Sequence, residues 1–209
     1  MTNRMKFFLA MLLLASTLLA RDVLHVFGYA WSVPFASDWR IERDNGTPVL
    51  HLFRARGPLP GPRRPIQFAL AETAELNHVT VDLDARPLEK SLILVFAYRD
   101  SAHFDYAHLS TDSALTEPHH NGIFHVYGGE RVRISSQQGT AAFSASKRWY
   151  HIDLIYDGAS GKVQVAIDGQ STPALSAIDS SLGVGKVGLG SFDETADFKN
   201  VKIEVTKAR

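Results

Sequence analysis

The sequence predicts an all-β protein, a two-sheet antiparallel β-sandwich. Short runs that alternate apolar and polar residues recur from Asp38 to Val205. Turn residues separate those runs at close spacing, and no stretch beyond the N-terminal apolar segment has a 3.6-residue period. Many short strands so spaced are the pattern of sandwiches and jelly rolls. A chain of 209 residues suits one domain of ordinary size with a full apolar core.

The chain opens "MTNRMKFFLAMLLLASTLLARD". Arg4 and Lys6 precede an apolar stretch from Phe7 to Leu19, and Ala20 is a small residue before charged Arg21. Residues 1–20 therefore read as a signal peptide, too short for a comfortable membrane span. Leu18 stands where cleavage prefers a small residue, so an uncleaved N-terminal anchor is the alternative. Either reading expects the folded part outside the cytoplasm, secreted or periplasmic, with no membrane contact beyond this segment. Residues 21–37 are expected to connect it to a jelly-roll domain over 38–209.

Composition excludes several classes. There is no cysteine, which rules out disulfides, thiolate metal sites, cysteine nucleophiles and a cysteine-linked lipid anchor. Basic and acidic residues balance at 22 each, so no overall field draws the chain to nucleic acid or an anionic surface.

"DWRIERDNGTPVLHLF" is a hairpin, with Asn45-Gly46 supplying the positive φ of a tight turn. "RARGPLPGPRRP" is a Pro/Gly loop, because proline cannot donate to a central ladder. Candidate strands follow at "IQFALA", "HVTVDLDA", "SLILVFAYR", "FDYAHLS", "GIFHVYG", "RVRIS", "WYHIDLIYDG", "KVQVAIDG", "KVGLGSF" and "FKNVKIEV". Tyr150, Ile152, Leu154 and Tyr156 alternate with His151 and Asp153, and Val163, Val165 and Ile167 alternate with Gln164 and Asp168. Such half-buried strands place Val187, Leu189 and Phe198 in the core too, with Trp149 near it. The glycines of "GVGKVGLGSF" lie in a hairpin with no following helix, so they serve close packing or a bulge rather than a phosphate.

Candidate site residues gather in "EPHHNGIFHVYGGERVRIS" and the strand before it. By parity Ile123, His125 and Tyr127 share a face, as do Phe104, Tyr106 and His108, and Arg131 with Arg133. If the three strands are neighbours, one surface collects Tyr106, His108, His125, Tyr127, Arg131 and Arg133. His119, His120 and Asn121 stand on its rim. Aromatic rings beside such donors suit a sugar, and Arg131 can donate two parallel hydrogen bonds. A solvated sheet face is the plain alternative.

No metal site is expected from spacing. Asp105 and His108 fall on opposite faces of one strand, His119 and His120 are adjacent, and no HExxH is present. Asp82 and Asp84 share a face, yet no nucleophile elbow or Glu-x-Asp-x-x-Glu pattern appears.

Four segments together resemble one family. "FAYRDSAHFDYAHLS", "HHNGIFHVYGGERVRIS", "RWYHIDLIYDGASGKVQVAIDG" and "GKVGLGSFDETADFKNVKIEV" are similar to the concanavalin A-like (laminin G-like) jelly roll of secreted bacterial proteins, including 3-keto-disaccharide hydrolase domains. The resemblance covers most of the chain after Asp38 and implies a concanavalin A-like fold. It also implies a carbohydrate or glycan partner and adds Arg99 to the candidate binding residues. It leaves three functions open: a binding module without catalysis, a sugar hydrolase, or laminin G-like protein binding. The missing carboxylate pattern favours the first. No cofactor is expected. A structural calcium is left open on Asp193, Glu194 and Asp197, since Phe198-Lys199-Asn200-Val201 lacks the Asp common in the family's last strand.

Overall fold

The computed structural model describes residues 22–205. The expected signal segment, 1–20, lies outside them. The described chain folds as two antiparallel sheets packed face to face, a β-sandwich of jelly-roll type.

One sheet has eight strands, in the order β1 (Asp22–Val26), β2 (Tyr29–Val33), β5 (Gln67–Ala71), β14 (Lys186–Ser191), β7 (Ser91–Asp100), β8 (His103–Ser110), β9 (Gly122–Tyr127), β10 (Glu130–Arg133). The other has seven, in the order β13 (Ser176–Ile178), β12 (Lys162–Ile167), β11 (Tyr150–Asp157), β6 (His78–Pro87), β15 (Ala196–Val205), β4 (Thr47–Leu52), β3 (Trp39–Asp44).

Residues 21–37 are not simply a connector. From Asp22 they form the β1–β2 hairpin at the edge of the larger sheet, with Val26 opposite Tyr29. Phe27 and Gly28 make its two-residue turn at φ 60° and 83°. A positive φ on phenylalanine is costly, so a Phe-Gly turn does not announce itself in sequence. Trp31 of this hairpin is fully buried, which holds the segment to the core.

The main core lies between the sheets, and alternation places it there. In β11, Leu154 stands opposite Val81 and Val165, and Ile152 opposite Leu83 and Ile167. All six are buried. The intervening His151 and Asp153 point outward beside Asp84 and Asp82. Trp149 is only half-buried, held between Arg86 (4.5 Å) and Lys199 (4.0 Å) as a cation–π partner.

Strand β7 reads as an unbroken apolar run because both its faces are covered. Leu94 and Phe96 enter the main core. Ile93 and Val95 join a second cluster with Phe68, Tyr98, Phe104, Tyr106, Phe124 and Phe192 on the outer face. The Pro/Gly loop over residues 53–66 crosses part of that face. There Leu59, Pro65 and Ile66 line an apolar cleft of about 240 Å³ with Phe68 and Tyr98. Polar ties hold the loop: Arg64 Nε donates to the Ser101 carbonyl (2.8 Å), and Arg56 pairs with fully buried Asp38.

The glycine-rich strand β14 serves close packing. A Cβ on Gly185, just before the strand, would stand 2.3 Å from the Ala97 carbonyl carbon, and one on Gly190 within it would stand 2.1 Å from the Gln67 oxygen. Where β14 meets β7 the register shifts between Lys186 and Gly188, a local irregularity that sets Ala97 at φ 47°.

Leu154→Ala removes a side chain with 1% exposure at the centre of the main core. It should lower unfolding free energy by roughly 2–5 kcal/mol. Urea denaturation measures this, and an unchanged midpoint would mean the two faces of β11 are reversed.

Candidate functional site

The strand neighbours are those expected: β8 pairs β9 and β9 pairs β10. Their register divides the expected residues between two faces. Tyr106 stands opposite Phe124, and Phe124 opposite Arg133. Val126 stands opposite Phe104 and Arg131. Directly opposed residues share a face, so Tyr106, His108, Arg131 and Arg133 lie together on the outer side. His125 is opposite Asp105, and Tyr127 opposite His103. His125 and Tyr127 therefore do not share the face of Tyr106, His108 and Arg131, which corrects the parity expectation.

The outer face holds two buried polar atoms with hydrogen-bonding capacity to spare. Tyr106 is fully buried, its ring stacked on Phe124 with centroids 5.2 Å apart. Its hydroxyl makes no well-formed hydrogen bond, though the Arg131 guanidinium is within reach of it. Burial pushes that hydroxyl up to about 12, against the pull of Arg131, Arg133 and Arg63. His108 is 2% exposed and stacks on Phe192 at 5.9 Å. Its Nδ1 donates to the His119 carbonyl at 3.0 Å, which leaves Nε2 as an acceptor with no donor. Burial drives His108 down to about 3, and neighbouring His120, Arg131 and Arg133 add to this. The ring is thus a neutral base sealed under the surface.

Arginines cap these atoms. The Arg131 guanidinium lies 4.6 Å from the Phe192 ring centre and 5.9 Å from that of Phe124. No carboxylate among the described residues pairs with Arg131. Arg133, by contrast, is fully engaged: it donates to the carbonyls of Pro118 (3.0 Å) and His120 (2.5 Å) and holds the 118–121 loop. Arg63 pairs with Asp193 at 2.6 Å across Phe192.

The rim residues serve structure. His119 is exposed, and its carbonyl fixes His108. His120 Nδ1 donates to Asp112 at 3.0 Å, with its ring 5.0 Å from that of His108. Asn121 is buried at φ 44° and donates to the Thr140 carbonyl at 2.8 Å. Arg99 is remote from this face and donates to the Leu182 carbonyl at 2.8 Å. Tyr127 is 63% exposed on the other side.

The three acids considered for calcium are each taken. Asp193 holds Arg63, and Glu194 accepts from the Ser91 hydroxyl at 2.7 Å. Asp197 accepts from Arg86 at 2.8 Å and pairs with His51. Two other clusters of carboxylates with a histidine do converge, and spacing alone concealed both. One is Asp82, His151 and Asp153 on the outer face of the seven-stranded sheet. It adjoins a cleft of about 530 Å³ that Asp84, Asn200 and Lys202 also line. The other is Asp105, His125 and Asp179, on the inner side of β8 and β9. There burial pushes the Asp105 carboxyl up to about 6, while the hydrogen bond from His125 opposes the rise.

No family model matches the chain, and no curated protein does. Solved structures match at the level of fold. The carbohydrate-binding module CBM66 from Bacillus subtilis superposes with a TM-score of 0.59 at 17% identity, over 83% of this chain and 94% of that one. A candidate glycosyl hydrolase from Parabacteroides distasonis gives 0.54 at 15% identity, over 82% and 92%. The GH43 protein BlXynB from Bacillus licheniformis, a K247S mutant, gives 0.58 at 13% identity, over 89% of this chain and 38% of that one. These likenesses are of fold alone, that of a two-sheet β-sandwich.

The neutral state of His108 makes a pH prediction. Its imidazole stays unprotonated when folded down to about 3, whereas in the unfolded chain it takes a proton below 6.5. The unfolded state binds more protons in that window, so stability falls as pH is lowered. At pH 5 the loss from this residue is about 2 kcal/mol. Denaturation at pH 7 and pH 5 should show His108→Leu losing less stability than the parent by that amount. Equal losses would mean that His108 titrates freely in the fold.

Proposed function

We propose that this domain is a carbohydrate-binding module whose ligand seats on the outer face of the eight-stranded sheet at Tyr106, His108 and Arg131. The observation that carries the reading is a pair of buried polar atoms beneath Arg131: His108 Nε2, which has no partner, and the Tyr106 hydroxyl, which Arg131 reaches without a well-formed hydrogen bond. A sugar hydroxyl can donate to Nε2 and accept from the phenol in one position. Leaving His108 Nε2 unpaired is costly, so a ligand that satisfies it gains that free energy on binding. Arg131 has no ion pair to break and can swing from Phe192 to admit a glycan. Its planar fork then donates to vicinal hydroxyls or to a uronate carboxylate. The fold likeness to a carbohydrate-binding module supports this reading, as does the resemblance to secreted sugar-active domains. Export through residues 1–20 would bring the site to extracellular or periplasmic glycans.

One observation favours a hydrolase instead. Asp82 and Asp84 line the 530 Å³ cleft beside His151, and paired carboxylates are what glycoside hydrolysis uses. That reading predicts cleavage of a bound glycan and its loss in Asp82→Asn.

A glycan array followed by calorimetric titration separates the two. Arg131→Ala should weaken the best glycan by about 1.5–3 kcal/mol, ten- to a hundred-fold. Tyr127→Ala, on the other side of the sheet, should leave affinity unchanged. Parental affinity in a folded Arg131→Ala protein would remove this face from consideration.

A further inference from the structure

The geometry points to a divalent-cation site of the zinc class at Asp105, His125 and Asp179, a staple between the two sheets at one edge of the sandwich. Asp105 on β8 and His125 on β9 stand opposite each other on the inner side of the larger sheet. Asp179 directly follows β13, the edge strand of the smaller sheet. No two of the three are close in sequence, and the fold alone brings them together.

The separations fit a small ion. His125 Nδ1 donates to Asp105 Oδ1 at 2.7 Å and lies 3.0 Å from Asp179 Oδ2. One donor atom from each residue falls within 4.8 Å of the other two. Ligands at zinc distances from one tetrahedral ion stand about 3.4 Å apart. Opening this cluster by less than about 1 Å would therefore seat the ion in place of the Nδ1 proton.

Charge and burial argue the same way. The Asp105 side chain is 1% exposed, and its Oδ2 has no hydrogen-bond partner. A sealed carboxylate with a free oxygen is costly unless a cation meets it. Among the described residues no arginine or lysine pairs with Asp105 or Asp179. Two carboxylates and a neutral imidazole balance a divalent ion, and a nitrogen with two oxygens suits zinc better than calcium. The His125 and Asp179 side chains keep 15% and 16% exposure, which leaves a way in.

The Asp82, His151 and Asp153 cluster makes a contrast. Its side chains are 34–46% exposed, so solvent can reach them. It is the internal control. The Asp105 site is independent of the sugar-binding reading, because it lies on the opposite side of β8.

The test uses the whole protein after chelator treatment, with zinc chloride as probe. Equilibrium dialysis should find an ion retained by the parent and by His151→Ala, and lost in Asp179→Asn. At a hundredfold excess over Kd, zinc should raise the melting temperature by roughly 5–10 °C in the first two and leave the third unmoved. The parent should also release about one proton on binding at pH 6, read by titration in buffers of different ionisation enthalpy. That measurement stands even if Asp179→Asn folds poorly. Zinc binding that survives Asp179→Asn, a shift with calcium but none with zinc, or binding without proton release would each overturn the assignment.

Discussion

The pairing of β8 with β9 is the constraint on which both proposed sites depend. Tyr106 against Phe124 and Asp105 against His125 are neighbouring rungs of one ladder, and side chains on neighbouring rungs point to opposite faces. That alternation sends the phenol and the His108 ring outward and the carboxylate with its imidazole inward. A slip of one residue would bury His108 between the sheets and set Asp105 among the phenylalanines. Ala107, Leu109 and Ile123 hold the register from the inner side, and Phe104, Phe124 and Val126 hold it from the outer. Each face thus carries polar groups embedded in apolar packing, where an unmet hydrogen bond matters most.

The second apolar layer follows from the 53–66 loop. A sandwich usually leaves the outer face of each sheet to water. Here a chain rich in proline and glycine lies across the outer face of the larger sheet. Arginines fasten it: Arg56 to Asp38, Arg64 to the Ser101 carbonyl and Arg63 to Asp193. Such a loop needs few backbone partners, since proline has no N–H to satisfy. It covers Phe68 and Tyr98, and at the Tyr106–His108 end it contributes only Arg63, which lies across Phe192 beside Arg131 and Arg133.

Much of this fold was legible because strands announce themselves by alternation and turns by Asn-Gly, Gly-Gly and Asp-Gly. Asn45-Gly46 and Asp168-Gly169 both adopt the positive φ those pairs allow. The β1–β2 hairpin was hidden because its turn begins with Phe27, and β13 because three residues cannot show a period. Parity within each strand held, but parity between strands failed for a physical reason. The long segment between β8 and β9 leaves their relative register free. The Gly128-Gly129 turn does not: two residues force Tyr127 opposite Glu130 and hence Arg131 opposite Val126. That link from Arg131 to the phenylalanine side was readable in the sequence. The meeting of Asp105, His125 and Asp179 was not, since it depends on how two sheets close on each other.

The order of the larger sheet sets the first described strand far from the proposed binding face. The described chain enters at β1, and the arginine-capped face ends at β10, the opposite edge. Seven steps of about 4.8 Å separate them, roughly 34 Å along the sheet. Asp22 thus stands at the rim of the sheet farthest from Arg131. The proposed binding face and the first described strand therefore occupy opposite edges of a single sheet.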